Sequence, residues 1–332
     1  MSASDPFGLL AFLHWNHDWN RHHFPEKLLP KAVDQIADLG IRMVRLDILW
    51  CDVQLPSGQF DFDRYHNIIS LLKERNIDTL GLLQYNKFRV DENNQEIWNH
   101  PPENFSEFSN YVSQTVQHFK NQVKHWEIWN EPNLPFYWTG PKDGLKRYSE
   151  LLKESYLAAK KADSQCLVLN GGLASPVMED VTNLYQAGAA PFFDILNIHT
   201  FFNPISPAVL EDFDHLIKGI RSIMDTNADT NKPIWITEVG CPGLPDGTPQ
   251  QNWFSGGSMN ETQQADWLEI IYERRLHHPS LKKIFWAFYR DLEGEFKDAT
   301  DYLGIVRNDL TPKPAYWRFK KIIETHNSQC EG

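Results

Sequence analysis

Two glutamates stand where apolar runs end. The segment His125-Trp126-Glu127-Ile128-Trp129-Asn130-Glu131-Pro132-Asn133 reads as a strand stopped by Pro132, leaving Asn130 and Glu131 at its C-terminal end. Pro233-Ile234-Trp235-Ile236-Thr237-Glu238-Val239-Gly240 repeats the arrangement: a Glu terminates an apolar run and a Gly follows. Two carboxylates brought face to face can do what glycosidic hydrolysis requires. One protonates the leaving oxygen while the other attacks the anomeric carbon or activates water. In the retaining form the pair sits roughly 5 to 5.5 Å apart and the second Glu forms a covalent intermediate. A single Glu at a strand end is ordinary; two, with a carboxamide beside the first, form a constellation.

Something must carry the two strand ends to one place. Short runs rich in β-formers alternate with segments of helical period along the whole chain. The strands read as Gly8 to His14, Met43 to Ile48, Thr79 to Gln84, Val123 to Asn130, Leu167 to Gly171, Phe193 to Thr200, Ile234 to Glu238 and Lys283 to Tyr289. Between them apolar residues recur at three and four, as in Leu29, Val33, Ile36 and Leu39, or Phe105, Phe108, Val112 and Phe119. Gly40 reads as a C-cap, and Asn260 with Gln263 as a capping box. Eight strands each followed by a helix predict an α/β fold, a single (β/α)8 TIM barrel over residues 1–332, with an open doubly wound sheet as the alternative. On a barrel, strands four and seven lie across the ring from each other, and chemistry gathers at the C-terminal strand ends. The long irregular stretches 240–259 and 291–313 would lie at that face. The Trp253-Phe254 pair suggests that the first is a wall or lid of a cleft; a surface insertion is the plainer reading.

Composition narrows the partners. Of 332 residues, 41% are hydrophobic and 23% charged, which is globular material with enough apolar side chain for a large core. The net charge of −12, with no run of Lys or Arg, excludes a protein that works by neutralising phosphates, so no nucleic acid is expected. The 12 Trp, 11 Tyr and 20 Phe would stack on the apolar faces of sugars or simply fill the core. Cys51, Cys166, Cys241 and Cys330 lack CxxC spacing and read as free thiols. No apolar stretch approaches the ~20 residues of a membrane span. The opening Met-Ser-Ala-Ser-Asp-Pro carries no address, so the expectation is cytoplasmic as written, or secreted or periplasmic if a leader has been removed.

Trp-Glu-Ile-Trp-Asn-Glu-Pro-Asn followed by Trp-Ile-Thr-Glu-Val-Gly resembles clan A of the glycoside hydrolases, and the first motif most resembles its family 39. The resemblance runs from Met43-Val44-Arg45-Leu46-Asp47 to Trp286, Leu303-Gly304-Ile305 and Thr311-Pro312-Lys313-Pro314-Ala315. It implies Glu131 as acid/base, Glu238 as nucleophile, and Asn130 as the carboxamide at the sugar 2-hydroxyl. It further implies Arg45 as the cation holding Glu238 ionised, with an arginine of the barrel's inner polar layer as the structural alternative. Trp286 would be the platform under the reacting sugar, and His199 would border the site. The chain departs from the clan at His199-Thr200-Phe201, where many members carry Tyr two residues after the His; Tyr289 is a candidate replacement. His14, Trp15, Gln84, Asn86, Trp138 and Trp253 could line subsites. The implied partner is an oligo- or polysaccharide cleaved at β-linkages, with an open cleft acting within the chain, no cofactor or metal, and a monomer or weak homo-oligomer. A metal-dependent barrel hydrolase is the rival enzyme class, disfavoured because His14-Trp15-Asn16-His17 is not a His-x-His pair and no HExxH is present. A non-catalytic carbohydrate-binding barrel should have lost a carboxylate or Asn130, and all are present.

Overall fold

The computed structural model describes residues 5–15, 24–140, 144–174, 177–292 and 294–331. Asn16, His17 and the Cys330 side chain lie outside the described residues. Eight parallel strands make the barrel: β1 (Phe7–Leu10), β2 (Met43–Leu49), β3 (Asp78–Gln84), β4 (His125–Ile128), β5 (Leu167–Asn170), β6 (Leu196–Thr200), β7 (Ile234–Val239) and β8 (Leu281–Ala287). Their hydrogen-bonded order is β5-β4-β3-β2-β1-β8-β7-β6. The ring closes between β5 and β6 by isolated bridges, Leu169 with Ile195 and Leu173 with Ile198. Side chains strengthen that seam. Asn170 Nδ2 donates to Asn197 O at 2.9 Å, Asn197 N donates back to Asn170 Oδ1 at 2.8 Å, and Asn197 Nδ2 reaches Asn170 O at 3.3 Å. These carboxamides stand in for ladder bonds that the short strands do not supply.

One long helix follows each strand: α1 (Leu29–Leu39), α2 (Asp63–Glu74), α3 (Phe105–Phe119), α4 (Gly144–Ala162), α5 (Val177–Gln186), α6 (Val209–Thr226), α7 (Glu261–Arg275) and α8 (Pro314–Glu331). Gly40 ends α1 at φ 94°, a left-handed conformation that glycine adopts without cost, and the Asn260–Gln263 capping box opens α7. None of the described helices is long and apolar enough to cross a membrane. Cys51, Cys166 and Cys241 are free thiols.

The core has two parts, because alternate strand residues point in opposite directions. One cluster lies between strands and helices and holds most of the large apolar side chains. A second, small cluster of Met43, Leu80, Leu169, Trp235 and Phe285 from the strands, with Ile195 just before β6, fills the barrel's interior. Further toward the C-terminal strand ends the inward positions turn polar: Arg45 then Asp47 on β2, Glu127 on β4, Thr237 on β7. The barrel is thus plugged with apolar side chains at one end and lined with polar and charged ones at the other.

Candidate active site

Beyond β4 the backbone bends sharply, with Trp129 at φ 68° and Glu131 at φ 45°. Side chains with a Cβ rarely sit there, and such strain persists only where surrounding contacts enforce it. Tyr148 of α4 donates to Ile128 O at 2.8 Å and accepts from Gly171 N at 2.6 Å, tying the ends of β4 and β5 together. Asn133 continues the clamp, donating to Ala174 O and to Asp180 Oδ2, both at 2.6 Å. The Asn-Glu-Pro-Asn run therefore aims Glu131 with its first residues and anchors itself with the last.

Arg45 is the site's electrostatic centre. Fully buried, it binds Glu127 through Nε at 2.7 Å and Nη2 at 2.9 Å, Glu238 Oε1 through Nη1 at 2.6 Å, and Asn130 Oδ1 through Nη2 at 2.9 Å. The sequence offered two readings of this arginine, inner polar layer or nucleophile partner, and the guanidinium's fork makes both contacts at once. Because Asn130 spends its oxygen on Arg45, its NH2 is left to donate. Glu127 escaped the sequence reading. It is a carboxylate at zero exposure, also accepting from Gly172 N at 3.1 Å. The available signal was a charged residue inside an apolar strand, which must be paired when buried.

Glu131 and Glu238 meet at the barrel mouth. Together with His199 each offers an atom within 4.8 Å of the others. His199 Nδ1 lies 2.7 Å from Glu131 Oε1 and 3.7 Å from Glu238 Oε2. The proton on this contact can be assigned by following the chain of donors. Asn197 has committed its NH2 to Asn170 O, so its Oδ1 accepts the Thr237 hydroxyl proton at 2.9 Å. Thr237 Oγ1 must then accept from His199 Nε2 at 3.0 Å, which leaves Nδ1 of a neutral ring as an acceptor facing Glu131. Burial and the Arg45 charge hold His199 well below the usual imidazole range, in keeping with a neutral ring. Glu131 is accordingly the protonated partner: burial and the nearby Glu238 charge push its carboxyl well above the usual range. Burial also raises Glu238, to about 7, but Arg45 opposes this by charge and by a direct hydrogen bond. Gly172 makes the assembly possible, since a Cβ there would collide with the His199 ring.

A cavity of about 370 Å³ has Arg45, Asp47, Gln84, Asn130 and Glu238 in its floor; Glu131 and His199 stand behind Glu238 and Asn130 rather than in its lining. Its walls come from the loops after β1 (Phe12, Trp15), β3 (Tyr85, Asn86, Arg89, Glu96, Trp98), β4 (Phe136, Tyr137) and β8 (Phe288, Leu292, Glu295, Phe296). Of the residues proposed to line subsites, Trp15, Gln84 and Asn86 therefore face the cavity. Others do not. Trp286 has zero exposure and donates to Leu303 O at 3.3 Å; Phe288, two residues on, presents its ring to the cavity instead. Tyr289 points outward to α1, donating to Gln35 Oε1 at 2.7 Å, so it does not replace the Tyr absent at Phe201. The phenols beside the glutamates are Tyr137 and Tyr85, both raised well above their usual range by burial and by charges that include Glu131 and Glu238. Trp138 packs edge-on against Trp129 at 5.0 Å, inside the core. His14 is buried behind the floor, its Nε2 4.0 Å from Asp47 Oδ2. Trp253 packs on Phe201 at 6.0 Å and on Phe254 at 4.5 Å, at the mouth end of β6 but outside the cavity lining, so the lid expected from residues 240–259 is a flank. The 291–313 stretch supplies the wall.

Glu131, His199 and Glu238 are also the trio among the described residues that could ligate a metal ion. A cation there would sit beside the Arg45 guanidinium, which already holds Glu238 at 2.6 Å, and like charges at that range repel.

No protein-family model matches the chain. Among curated proteins it is similar to the anti-sigma-I factor RsgI6 of Acetivibrio thermocellus, 23% identical over 238 residues, which is 67% of this chain and 26% of that protein. Among solved structures it is similar to a family 39 glycoside hydrolase from Bacteroides cellulosilyticus WH2, with a TM-score of 0.69 and 19% identity over 96% of this chain and 63% of that one. It is likewise similar to an exo-β-1,4-mannosidase from an Opitutaceae bacterium, strain TAV5, with a TM-score of 0.72 and 15% identity over 99% of this chain and 62% of that one. The chain thus spans about a quarter of the curated relative and under two thirds of these solved chains. What it shares with the glycoside hydrolases of families 39 and 5 in clan A is the (β/α)8 barrel fold.

Proposed function

We propose that residues 1–332 form a catalytic unit that hydrolyses β-glycosidic bonds of an oligo- or polysaccharide with retention, Glu238 being the nucleophile and Glu131 the acid/base. The observation that carries this reading is the pair itself: one carboxyl oxygen of each lies within 4.8 Å of the other, and of the two Arg45 is bonded to Glu238 alone. An inverting pair stands roughly 6.5 to 9.5 Å apart to admit water, so the spacing supports direct attack.

The chemistry follows from the contacts. Arg45 engages Glu238 Oε1, which leaves Oε2 with its lone pairs toward the cavity. As Oε2 bonds to the anomeric carbon, the C–O bond to the leaving group breaks and Glu131 passes its proton to the departing oxygen. Forming the ester erases the Glu238 charge, which is the largest coulombic contribution holding the Glu131 proton in place. Glu131 then falls toward an ordinary carboxylate range and can take a proton from water for the second displacement. The Asn130 NH2 and the Tyr137 and Tyr85 phenols supply donors around the reacting sugar. The exposed Phe136 and Phe296 at the cavity's rim suit sugars on either side of the cleaved bond, which favours cleavage within a chain.

The test is trapping. Dinitrophenyl 2-deoxy-2-fluoro-β-glycosides of glucose, mannose and xylose slow deglycosylation more than glycosylation, so at least one should leave a covalent sugar on the peptide carrying Glu238, absent from Glu238→Gln. An adduct on any other residue would overturn the assignment.

A further inference from the structure

Asp47 and Gln84 take no part in the chemistry above, yet both are over nine-tenths buried and both face the cavity. They lie side by side because β2 and β3 pair in parallel register, Asp47 opposite Leu82 and Leu49 opposite Gln84. Gln84 Nε2 donates to Asp47 Oδ2 at 2.8 Å, which fixes the amide's orientation. Two acceptors are left over. Asp47 Oδ1 and Gln84 Oε1 are buried atoms with no hydrogen-bond partner. An unmet buried acceptor costs on the order of 1–3 kcal/mol, and beside a ligand cavity the natural donor is the ligand.

The charge around them constrains that ligand further. Arg45 is the cation in the floor, bonded to Glu127 and Glu238, with Asp47, its carboxyl raised to about 6 by burial, two residues along the same strand; Glu131 keeps its proton, and Arg89 in the wall is paired with Glu96 at 3.2 Å. A second anion placed there would meet net negative charge in a desolvated site.

Resting on the glycosidase reading, we propose that Asp47 and Gln84 are specificity residues: an acceptor pair that binds two free hydroxyls of the sugar next to the cleaved bond, selecting neutral sugars and rejecting uronic acids. Each acceptor pairs with one O–H. A sugar lacking either hydroxyl leaves a buried acceptor unmet, and a site of this kind discriminates strongly against such analogues.

The experiment uses the full chain and p-nitrophenyl β-glycosides of glucose, mannose, xylose and glucuronic acid, followed by 3-deoxy and 4-deoxy forms of the best neutral substrate. At least one neutral glycoside should be cleaved with kcat/KM 100-fold or more above the glucuronide. The wild type should lose at least 10-fold on one deoxy form, and Asp47→Asn or Gln84→Ala should lose activity on the parent while abolishing that discrimination. A glucuronide cleaved as well as the neutral sugars overturns the proposal without needing any variant, as does full deoxy discrimination in both variants. Glucuronide cleavage with an adduct on Glu238 would sink this inference alone. No cleavage of any glycoside and no adduct would sink it together with the glycosidase reading.

Discussion

Arg45, His199 and Thr237 divide a task that neither glutamate can do alone. Two buried carboxyls this close would resist ionising together, so something must decide which one keeps the proton. Arg45 favours the Glu238 carboxylate, and the Asn197–Thr237–His199 series turns an imidazole lone pair toward Glu131. Thr237→Val should disturb this division. Without the Oγ1 acceptor the ring is free to carry its proton on Nδ1, which then donates to Glu131 and favours its ionised form. The proposed mechanism requires Glu131 protonated, so the alkaline limb of kcat/KM against pH should move down, by about one unit if a hydrogen bond of ordinary strength changes sides. The acid limb, governed by ionisation of Glu238, should move less. An alkaline limb that stays in place would mean that the ring's tautomer does not control the acid.

At the scale of elements, the barrel depends on short strands whose ends are tied by side chains. The β5–β6 seam is the clearest case, since three buried bonds run between Asn170 and Asn197. Asn170→Ala should lower unfolding free energy by roughly 1–3 kcal/mol, measured by denaturant titration, because it strips bonds from buried backbone groups. A loss below a few tenths would show that the isolated bridges suffice. Much of this level was legible beforehand. The alternation of periods marked all eight strands and the glutamates at the ends of β4 and β7, and the caps of α1 and α7 stood at Gly40 and Asn260. What misled was aromatic type. Trp138, Trp253, Trp286 and Tyr289 could equally stack on sugar or fill core, and packing put them in the interior or on a flank while Phe12, Tyr85, Trp98 and Phe136 reached the cavity. The inward row was legible in Arg45, one of whose two readings was an inner polar layer; Asp47 two residues on and Glu127 inside another strand belonged to it as well.

For the molecule as a whole, plug and mouth gather the polar groups at one end of the barrel, and the double displacement proposed for that end has a stereochemistry that would report on both glutamates at once. The most direct test is azide rescue of two variants on an activated aryl glycoside that the wild type cleaves. With Glu238→Ala no side chain stands ready to attack the anomeric carbon, so azide enters from the nucleophile's face and should give a product of inverted configuration. With Glu131→Ala a good leaving group still departs without acid assistance, the glycosyl-enzyme forms, and azide opens it to a product of retained configuration. Opposite configurations from the two variants are the expected result. The same configuration from both, or full activity of either variant on a natural substrate, would contradict the assignment.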